Sequence, residues 1–454
     1  MMPHSCNVAP ITSASPAAPR PPPSTGVVDL MRLCGAVLVE GARHPLDFNL
    51  DAAFRAWARR TSARLESENL VVNFGVKKVL LVGSRELSLY ILSQFPSRYG
   101  FSTGSLKRSA MAFLAARALT ISDDEDWRRR RAFNEAVLEP ERPHELAQEF
   151  VRATLKAFAS PVASVAELRA AMGRTMLAIV FGGSAPPRLV DEIQKLFQLV
   201  QNPVKRVLTA PWAYLHRASF YDALRALWMA RDAGANPSLL RIASRAAAEL
   251  DGTELIEQIP HWMFTFTGSA TDLLTRALAL ISSAPAVRVR VLAEMQAAGP
   301  LDDGCNFAAL PFLEGCLLEA AHLYPPVTRT FHCALAGATV GNVRIAPGME
   351  IMHLFPPFTT DDVGEDADSR SFNPDRWMRA EPPACSFDPF LGGVRRCPGK
   401  SVILLVCKVA LASLLVQHQL VVDAPGLRAR SLPAVFPRRG LRFHAAQGSG
   451  GLSA

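Results

Sequence analysis

From Asp126 to Ala284, apolar residues recur at helical spacing almost without pause. The breaks fall at EPERPH, FGGSAPP, QNPVK and AGANPS. A helix with one apolar stripe must bury that stripe against another element. A run this long, broken only by proline- and glycine-rich turns, therefore demands helix-on-helix packing. The same period covers residues 29–68, most clearly DAAFRAWARRTSARLES, then SRELSLYILSQF, and residues 286–299. Strand signals are fewer. NLVVNFG and KKVLLVG are short apolar runs joined at Gly75-Val76, a hairpin pattern. ATVGNVRIAPGMEIMHLF alternates, DDVGEDADSRSFNPDRW is an acidic loop, and HQLVVDA and LRFHAA are strand-like. The expected fold is mainly α with a minor β part, in one domain over residues 26–454. Residues 1–25, rich in Pro, Ser and Ala, are expected to be disordered.

Charge and cysteine usage narrow the function classes. The net charge of +8 over 454 residues is mild and concentrates in runs such as Arg128 to Arg131. That favours an acidic partner and argues against a nucleic-acid binder. Eight cysteines contain no CxxC pair and no zinc spacing, which points to a reducing compartment. No signal peptide is visible. The strongest apolar run, Val402 to Val416, is shorter than the roughly 20 residues a bilayer needs, and Lys408 interrupts it. It is expected to be a buried helix, and the protein soluble and cytoplasmic.

The stretch FLGGVRRCPGK, Phe390 to Lys400, runs directly into that apolar segment. A lone cysteine is usually a small buried hydrophobe, and that reading serves for the other seven. Cys397 differs in its neighbours. Arg395, Arg396 and the N-terminal amides of the following helix all favour a thiolate. Gly393 and Gly399 permit sharp turns or close backbone approach, and Pro398 suits a helix start. A phosphate loop is the rival reading. Gly399-Lys400-Ser401 fits its end, but Val394 stands where its first glycine is required.

Phe390, Gly393, Arg395, Cys397 and Gly399 complete the pattern F-x-x-G-x-R-x-C-x-G, which resembles the haem-binding loop of the cytochrome P-450 family, here of the soluble, bacterial type. The resemblance implies a haem b cofactor (iron protoporphyrin IX), with Cys397 as the iron's thiolate ligand and Arg395 on a haem propionate. Other landmarks follow in the family's order over residues 55–445. Trp127-x-x-x-Arg131 resembles the helix whose Trp and Arg meet a propionate. Thr267-Gly268-Ser269-Ala270-Thr271 resembles the distal-helix motif A-G-x-[DE]-T, which implies that Gly268 widens the helix for dioxygen and that Thr271 presents its hydroxyl there. The acid is replaced by Ala270. Asp272 lies about 100° further round and cannot simply substitute.

Glu319-x-x-His322 resembles the family's E-x-x-R, with His322 in the arginine's place. Glu319 is expected to pair directly with Arg376, with His322 donating one hydrogen bond. Either Arg329 or His332 is a candidate for a further propionate contact. By resemblance, Phe264, Thr267, Ala270, Val327 and Thr328 line a substrate pocket together with Tyr99 to Ala118, and residues 186–235 form a mobile lid. The implied activity is monooxygenation of a hydrophobic small molecule such as a terpenoid, fatty acid or polyketide, with O2 and electrons from an external ferredoxin or flavodoxin and its reductase. Arg128, Arg396, Lys400 and Lys408 are candidates for the donor's docking face. The alternatives are peroxide-dependent or isomerase-type haem-thiolate chemistry, and a non-catalytic haem- or ligand-binding protein.

Overall fold

The computed structural model describes residues 22–446, except 27, 30, 35–49, 74–76, 98–99, 141, 233–235, 247–249, 303, 342, 356–370, 379–388, 392, 429–431, 434 and 439. The expected disorder of residues 1–25 therefore falls almost wholly outside the described residues, as do residues 361–370 of the acidic loop and much of the helix expected over residues 29–68.

Helices dominate. α1 (Leu50–Leu65) leads into β1 (Leu70–Asn73), β2 (Lys78–Val82), α2 (Arg85–Gln94), β3 (Phe101–Thr103) and α3 (Ser105–Met111). The expected helical run then resolves into α4 (Asp124–Leu138), α5 (Ala147–Ala157), α6 (Val165–Phe181), α7 (Arg188–Gln201), α8 (Pro203–Leu208), α9 (Ala210–Met229), α10 (Leu239–Ala246), α11 (Gly252–Ile256), α12 (Ile259–Phe264) and α13 (Thr271–Ser283). A π-helical turn, Thr265–Ala270, joins the last two into one long helix. α14 (Pro285–Ala297) and α15 (Pro311–Leu323) follow, then β4 (Arg329–Ala334), β5 (Ala338–Val340), β6 (Val343–Ile345), β7 (Glu350–Leu354), α16 (Lys400–Ala412), β8 (Leu420–Asp423) and β9 (Arg442–Ala445). The breaks are those that local chemistry predicts. At the start of α6 the Ser164 hydroxyl accepts from the Glu167 amide and the Glu167 carboxylate accepts from the Ala163 amide, and Gly182 ends the helix at φ +64°.

The sheet order is β1-β2-β7-β4-β3. The expected hairpin is present, with Leu70 opposite Leu81 and Asn73 opposite Lys78. What local pattern could not show is that β7 joins β2 in parallel, Val79 opposite Glu350. This ties the start of the chain to its last third. α1 covers one face through Phe54 and Trp57, and α2 covers the other through Leu87 and Ile91. The main core lies between α5, α6, α13, α15 and α16. The window Lys400–Gln417 is long and apolar enough to cross a membrane, but 72% of it is buried inside the protein, as expected of a core helix.

The arginine run is not one patch. Successive helical residues point about 100° apart, so α4 turns Arg128 outward and Arg130 and Arg131 inward. Arg130 is buried against Glu254 at 2.6 Å and Ser122 at 2.7 Å. Breaking a buried pair strands the partner's charge. Glu254→Gln should lower stability by about 3 kcal/mol in denaturant unfolding. Arg128→Ala, which removes an exposed pair with Glu125, should leave the midpoint unchanged.

Candidate functional site

The cysteine loop is held from several sides. Cys397 N–H donates to the Phe390 carbonyl at 2.7 Å and closes the loop on itself. Leu391 takes a left-handed φ of 60°, a sparsely populated conformation for a branched side chain, to turn the chain into Gly393–Arg395. α16 starts at Lys400 just beyond Gly399, so its unpaired amides lie next to the half-buried thiol. Arg131 reaches the loop from α4. Its Nη1 donates to the Arg396 carbonyl at 2.6 Å, while its Nε and Nη2 hold Glu135 at 2.8 and 2.7 Å. Trp127 backs it, with the guanidinium 5.9 Å from the ring centroid. These donors are committed to protein acceptors, so Arg131 acts here on the loop backbone. Lys400 lies over the Phe390 ring at 5.6 Å.

Arg395 points inward and lies 4.0 Å over the face of Phe95, at the end of α2. Burial lowers its pKa to about 9, which Asp123 opposes and Arg131 reinforces. Lys107 on α3 is pushed down to about 7 by burial and then by Arg395, with Asp123 opposing. His261 on α12 falls to about 4, from burial and then Lys107 and Arg395. Lys107, His261 and Arg395 keep partial exposure although protein surrounds them. The surface they expose is thus that of an interior cavity. Asp123 is the acid that acts on Lys107 and Arg395, and it is already engaged by Thr103 and Arg108.

The long helix passes this cavity. A Cβ built on Gly268 would meet nothing within 4 Å, so the missing side chain leaves open space inside the protein. The π turn there has a visible cause. Thr271 is fully buried and its hydroxyl donates five residues back, to the Phe266 carbonyl at 3.0 Å. Its proton is therefore spent on backbone, and like Thr267 and Ala270 the side chain is packed into the core. Thr267 bonds the Met263 carbonyl, and Ala270 is packed, with the Cys407 thiol against its carbonyl. Phe264 is half-buried and stacked on Phe197, Val327 is 54% exposed, and the Thr328 carbonyl accepts from Arg55. The expected pocket lining is thus corrected for Thr267 and Ala270, which are both packed into the core. Tyr99 lies outside the described residues. Asp272 points elsewhere, to Arg276 at 2.9 Å and Arg438 at 3.6 Å.

Glu319, fully buried on α15, pairs with Arg376 at 2.9 Å as expected. The expected hydrogen bond from His322 is not made, and this corrects the sequence reading. The Nδ1 of His322 has no partner, and burial, then Arg376, lowers its pKa to about 4. Trp377 takes the role instead: its Nε1 donates to Glu319 at 2.7 Å, beside the Asn373 amide at 3.2 Å. Burial raises the Glu319 pKa to about 7. Arg376, Trp377 and the Asn373 amide are nonetheless all donors, so the geometry is that of a carboxylate. Of the two further propionate candidates, Arg329 is exposed and His332 is buried at 2% beside the cation cluster. Lys408 is also corrected. Its side chain is 4% exposed and bound to Glu314 at 2.7 Å, so it cannot belong to a docking face.

These observations form a fit test for haem. Its flat apolar ring suits the space left by Gly268. Its two carboxylates suit Lys107 and Arg395, buried cations short of anions. Its iron suits a thiolate at a helix N-terminus. Lys107, His261 and Trp377 escaped the sequence reading because nothing local marks them. In the haem-free protein, unfolded Lys107 binds its proton up to pH 10.5 and folded Lys107 only to about 7. The unfolded state holds more protons in that window, so stability should rise with pH from about 7 to 10. Lys107→Met should flatten the rise in denaturant midpoints.

Residues 240–428 match the family model described as cytochrome P-450. The probable cytochrome P-450 4s3 of Drosophila melanogaster is 28% identical over 187 residues, 41% of this chain and 37% of that protein. Cytochrome P-450 26B1 of Danio rerio is 27% identical over 218 residues, 45% of this chain and 42% of its own. The chain thus matches about two fifths of the length of these relatives. Among solved structures, a cytochrome P-450 titled CYP102L1 superposes at a TM-score of 0.69 and 16% identity, over 86% of this chain and 98% of that one. The retinoic-acid-bound cyanobacterial CYP120A1 gives 0.69 and 18%, over 95% and 100%. At these identities the superpositions speak for the fold. Matched residues and fold agree: residues 240–428 match the cytochrome P-450 family, and the chain takes the fold of solved cytochromes P-450.

Proposed function

We propose that the protein is a haem-thiolate monooxygenase acting on a hydrophobic small molecule, with O2 and electrons from an external donor. The observation that carries this is the gathering of Lys107 and Arg395, buried and short of anions, around a cavity beside the Cys397 loop. Once bound, haem supplies the chemistry, taking O2, two electrons and two protons to give one substrate hydroxyl and one water. The protein's own part is positioning. Cys397 supplies the thiolate, steadied by its amide bond to Phe390, by the start of α16 and by Arg131 on the next carbonyl. Arg395 and Lys107 hold the carboxylates. Gly268 would leave open space for the group beside the long helix, and Thr271 holds the turn that places that space.

Water exclusion falls to α8 and α9, within the expected lid. Arg206 lies over the Phe113 ring at 5.3 Å and donates to the Ala110 carbonyl, and Tyr214 meets Phe113 edge-on at 5.5 Å. These contacts latch the lid to the end of α3 and the segment just after it. The retinoic-acid-bound state of one fold neighbour supports an apolar substrate, of which a terpenoid, fatty acid or polyketide are the classes in view.

The reduced, carbon monoxide-treated protein should show the strongly red-shifted Soret band of thiolate ligation, and Cys397→Ser should lose it. A carbonyl band indifferent to that change would end this reading. A second reading, peroxide-driven turnover, is favoured by the distal helix. Ala270 replaces the acid, and Asp272 is held by Arg276 and Arg438. Product formed from peroxide without any reductase, at a rate matching the reductase-supported one, would select it. For the electron donor, Arg396→Glu and Arg128→Glu should slow reduction by an acidic ferredoxin and weaken its salt dependence. Lys408→Ala should leave the salt dependence intact, because that side chain is internal.

A further inference from the structure

The proposed function leaves His261 without a part. It stands on α12, in the same cavity as Lys107 and Arg395, and both cations act on it. Phe264 follows one turn later on the same helix, and its ring meets the imidazole edge-on at 4.7 Å. Phe197 of α7 stacks on Phe264 at 4.4 Å. Gly268, with open space where its side chain would be, lies a further turn along. The seven-residue step from His261 to Gly268 spans roughly 10 Å of helix. Read along this helix, open space at Gly268 is followed by two aromatic rings and then by an imidazole.

The Nδ1 of His261 is buried and has no partner. The residue as a whole is only half-buried, which leaves Nε2 as the nitrogen on the part of the ring that opens to the cavity. Buried N–H groups are left unpaired more rarely than buried acceptors. That puts the proton on Nε2 and the lone pair on Nδ1. Burial, then Lys107 and Arg395, keep the imidazole neutral, with its pKa down at about 4. His261 is thus an uncharged N–H donor at the polar end of the cavity.

Charge decides what that donor can receive. On the haem reading, the two carboxylates of the cofactor answer Lys107 and Arg395, while Asp123 is engaged by Thr103 and Arg108. A further carboxylate, brought in by a substrate, would be buried against a neutral ring beside cations already neutralised, which is costly. An uncharged oxygen carries no such cost and replaces the water that the donor has lost.

We propose that His261 is a specificity-determining residue, whose Nε2–H donates to an uncharged hydroxyl or ketone oxygen at the end of the substrate remote from the carbon oxidised beside Gly268. This deepens the monooxygenase reading and rests on it. It narrows the hydrophobic substrate to an oxygenated one, with about 10 Å of apolar frame between its oxygen and its reacting carbon. That frame lies against Phe264 and Phe197. Of the classes in view, an oxygenated terpenoid or polyketide fits, and a fatty acid with an ionised carboxylate does not.

The test uses the haem-loaded protein and three probes that share one carbon chain: decanol, decane and decanoate. Dissociation constants are read from the ligand-induced shift of the Soret band. The wild type should bind decanol about tenfold more tightly than decane, the gain of one hydrogen bond to a donor otherwise left unpaired, and should bind decanoate more weakly than decanol. His261→Phe should remove the preference for the alcohol and keep the affinity for decane. His261→Gln, which keeps an N–H donor, should retain most of the preference. Haem transfer to apomyoglobin should run at the wild-type rate in both variants, because Lys107 and Arg395 are untouched. An unchanged alcohol preference in His261→Phe, tighter binding of decanoate than of decanol, no response to decanol, or faster haem loss in His261→Phe would each overturn the proposal. If His261→Phe does not fold, His261→Leu carries the same outcomes. A wild type whose carbonyl band lacks the thiolate shift would instead remove the monooxygenase reading, and this inference with it.

Discussion

A guanidinium or an ammonium group cannot be kept from water without an opposite charge or a fall in its pKa. That constraint organises this molecule. Lys107 and Arg395 come from α3 and from the cysteine loop, and both meet inside the protein where Asp123, already hydrogen-bonded to Thr103, is the acid that acts on them. Arg395 leans on the face of Phe95, an attraction that costs no counter-ion. Burial meets that constraint here by lowering both pKa values. The neighbouring elements can be understood as what holds the two cations in place: the five-stranded sheet behind His332, α2 packed on the Gly393–Arg395 turn, and α4 delivering Arg131.

The other half of the site depends on backbone strain and small side chains. The long helix from Ile259 to Ser283 changes register at Thr265–Ala270 because the Thr271 hydroxyl holds the carbonyl five residues back. π turns of this kind commonly mark functional positions. Gly268 falls within the turn, and the space its side chain would have filled stays open. Leu391, at positive φ in the opposite wall, is a second strained position beside Cys397. The two sit in segments whose ends are well anchored, so the surrounding packing can sustain them.

The buried carboxylate of Glu319 shows how a familiar element can be rebuilt. With a histidine where an arginine is expected, the carboxylate would lose a bidentate donor. Here Trp377, immediately after Arg376, supplies an indole N–H instead, and the ring of His322 packs edge-on against that same tryptophan at 6.0 Å. The tie between α15 and the Pro374–Trp377 turn survives. Gly315 allows the close approach, since a Cβ there would come within 3.0 Å of the Pro374 carbonyl.

Much of this was legible in the residues themselves. The cysteine loop is contiguous, and its glycines, proline and following apolar run dictate a turn and a helix start by local rules. The helical fold followed from periodicity, and the hairpin of β1 and β2 from two short apolar runs. What sequence could not supply was the partner of each charge. Arg131 meets the carbonyl of Arg396, Lys408 is drawn inward to Glu314, and His353 meets His332 only because β7 returns beside β4. Such pairs are remote in the chain, and local propensity carries no information about them. Sequence alone therefore determined the cysteine loop, the helices and their order. Tertiary packing alone decided which cations are buried, which carboxylates answer them and where charge is left open for a cofactor, because desolvation acts on position in space and not on position in the chain.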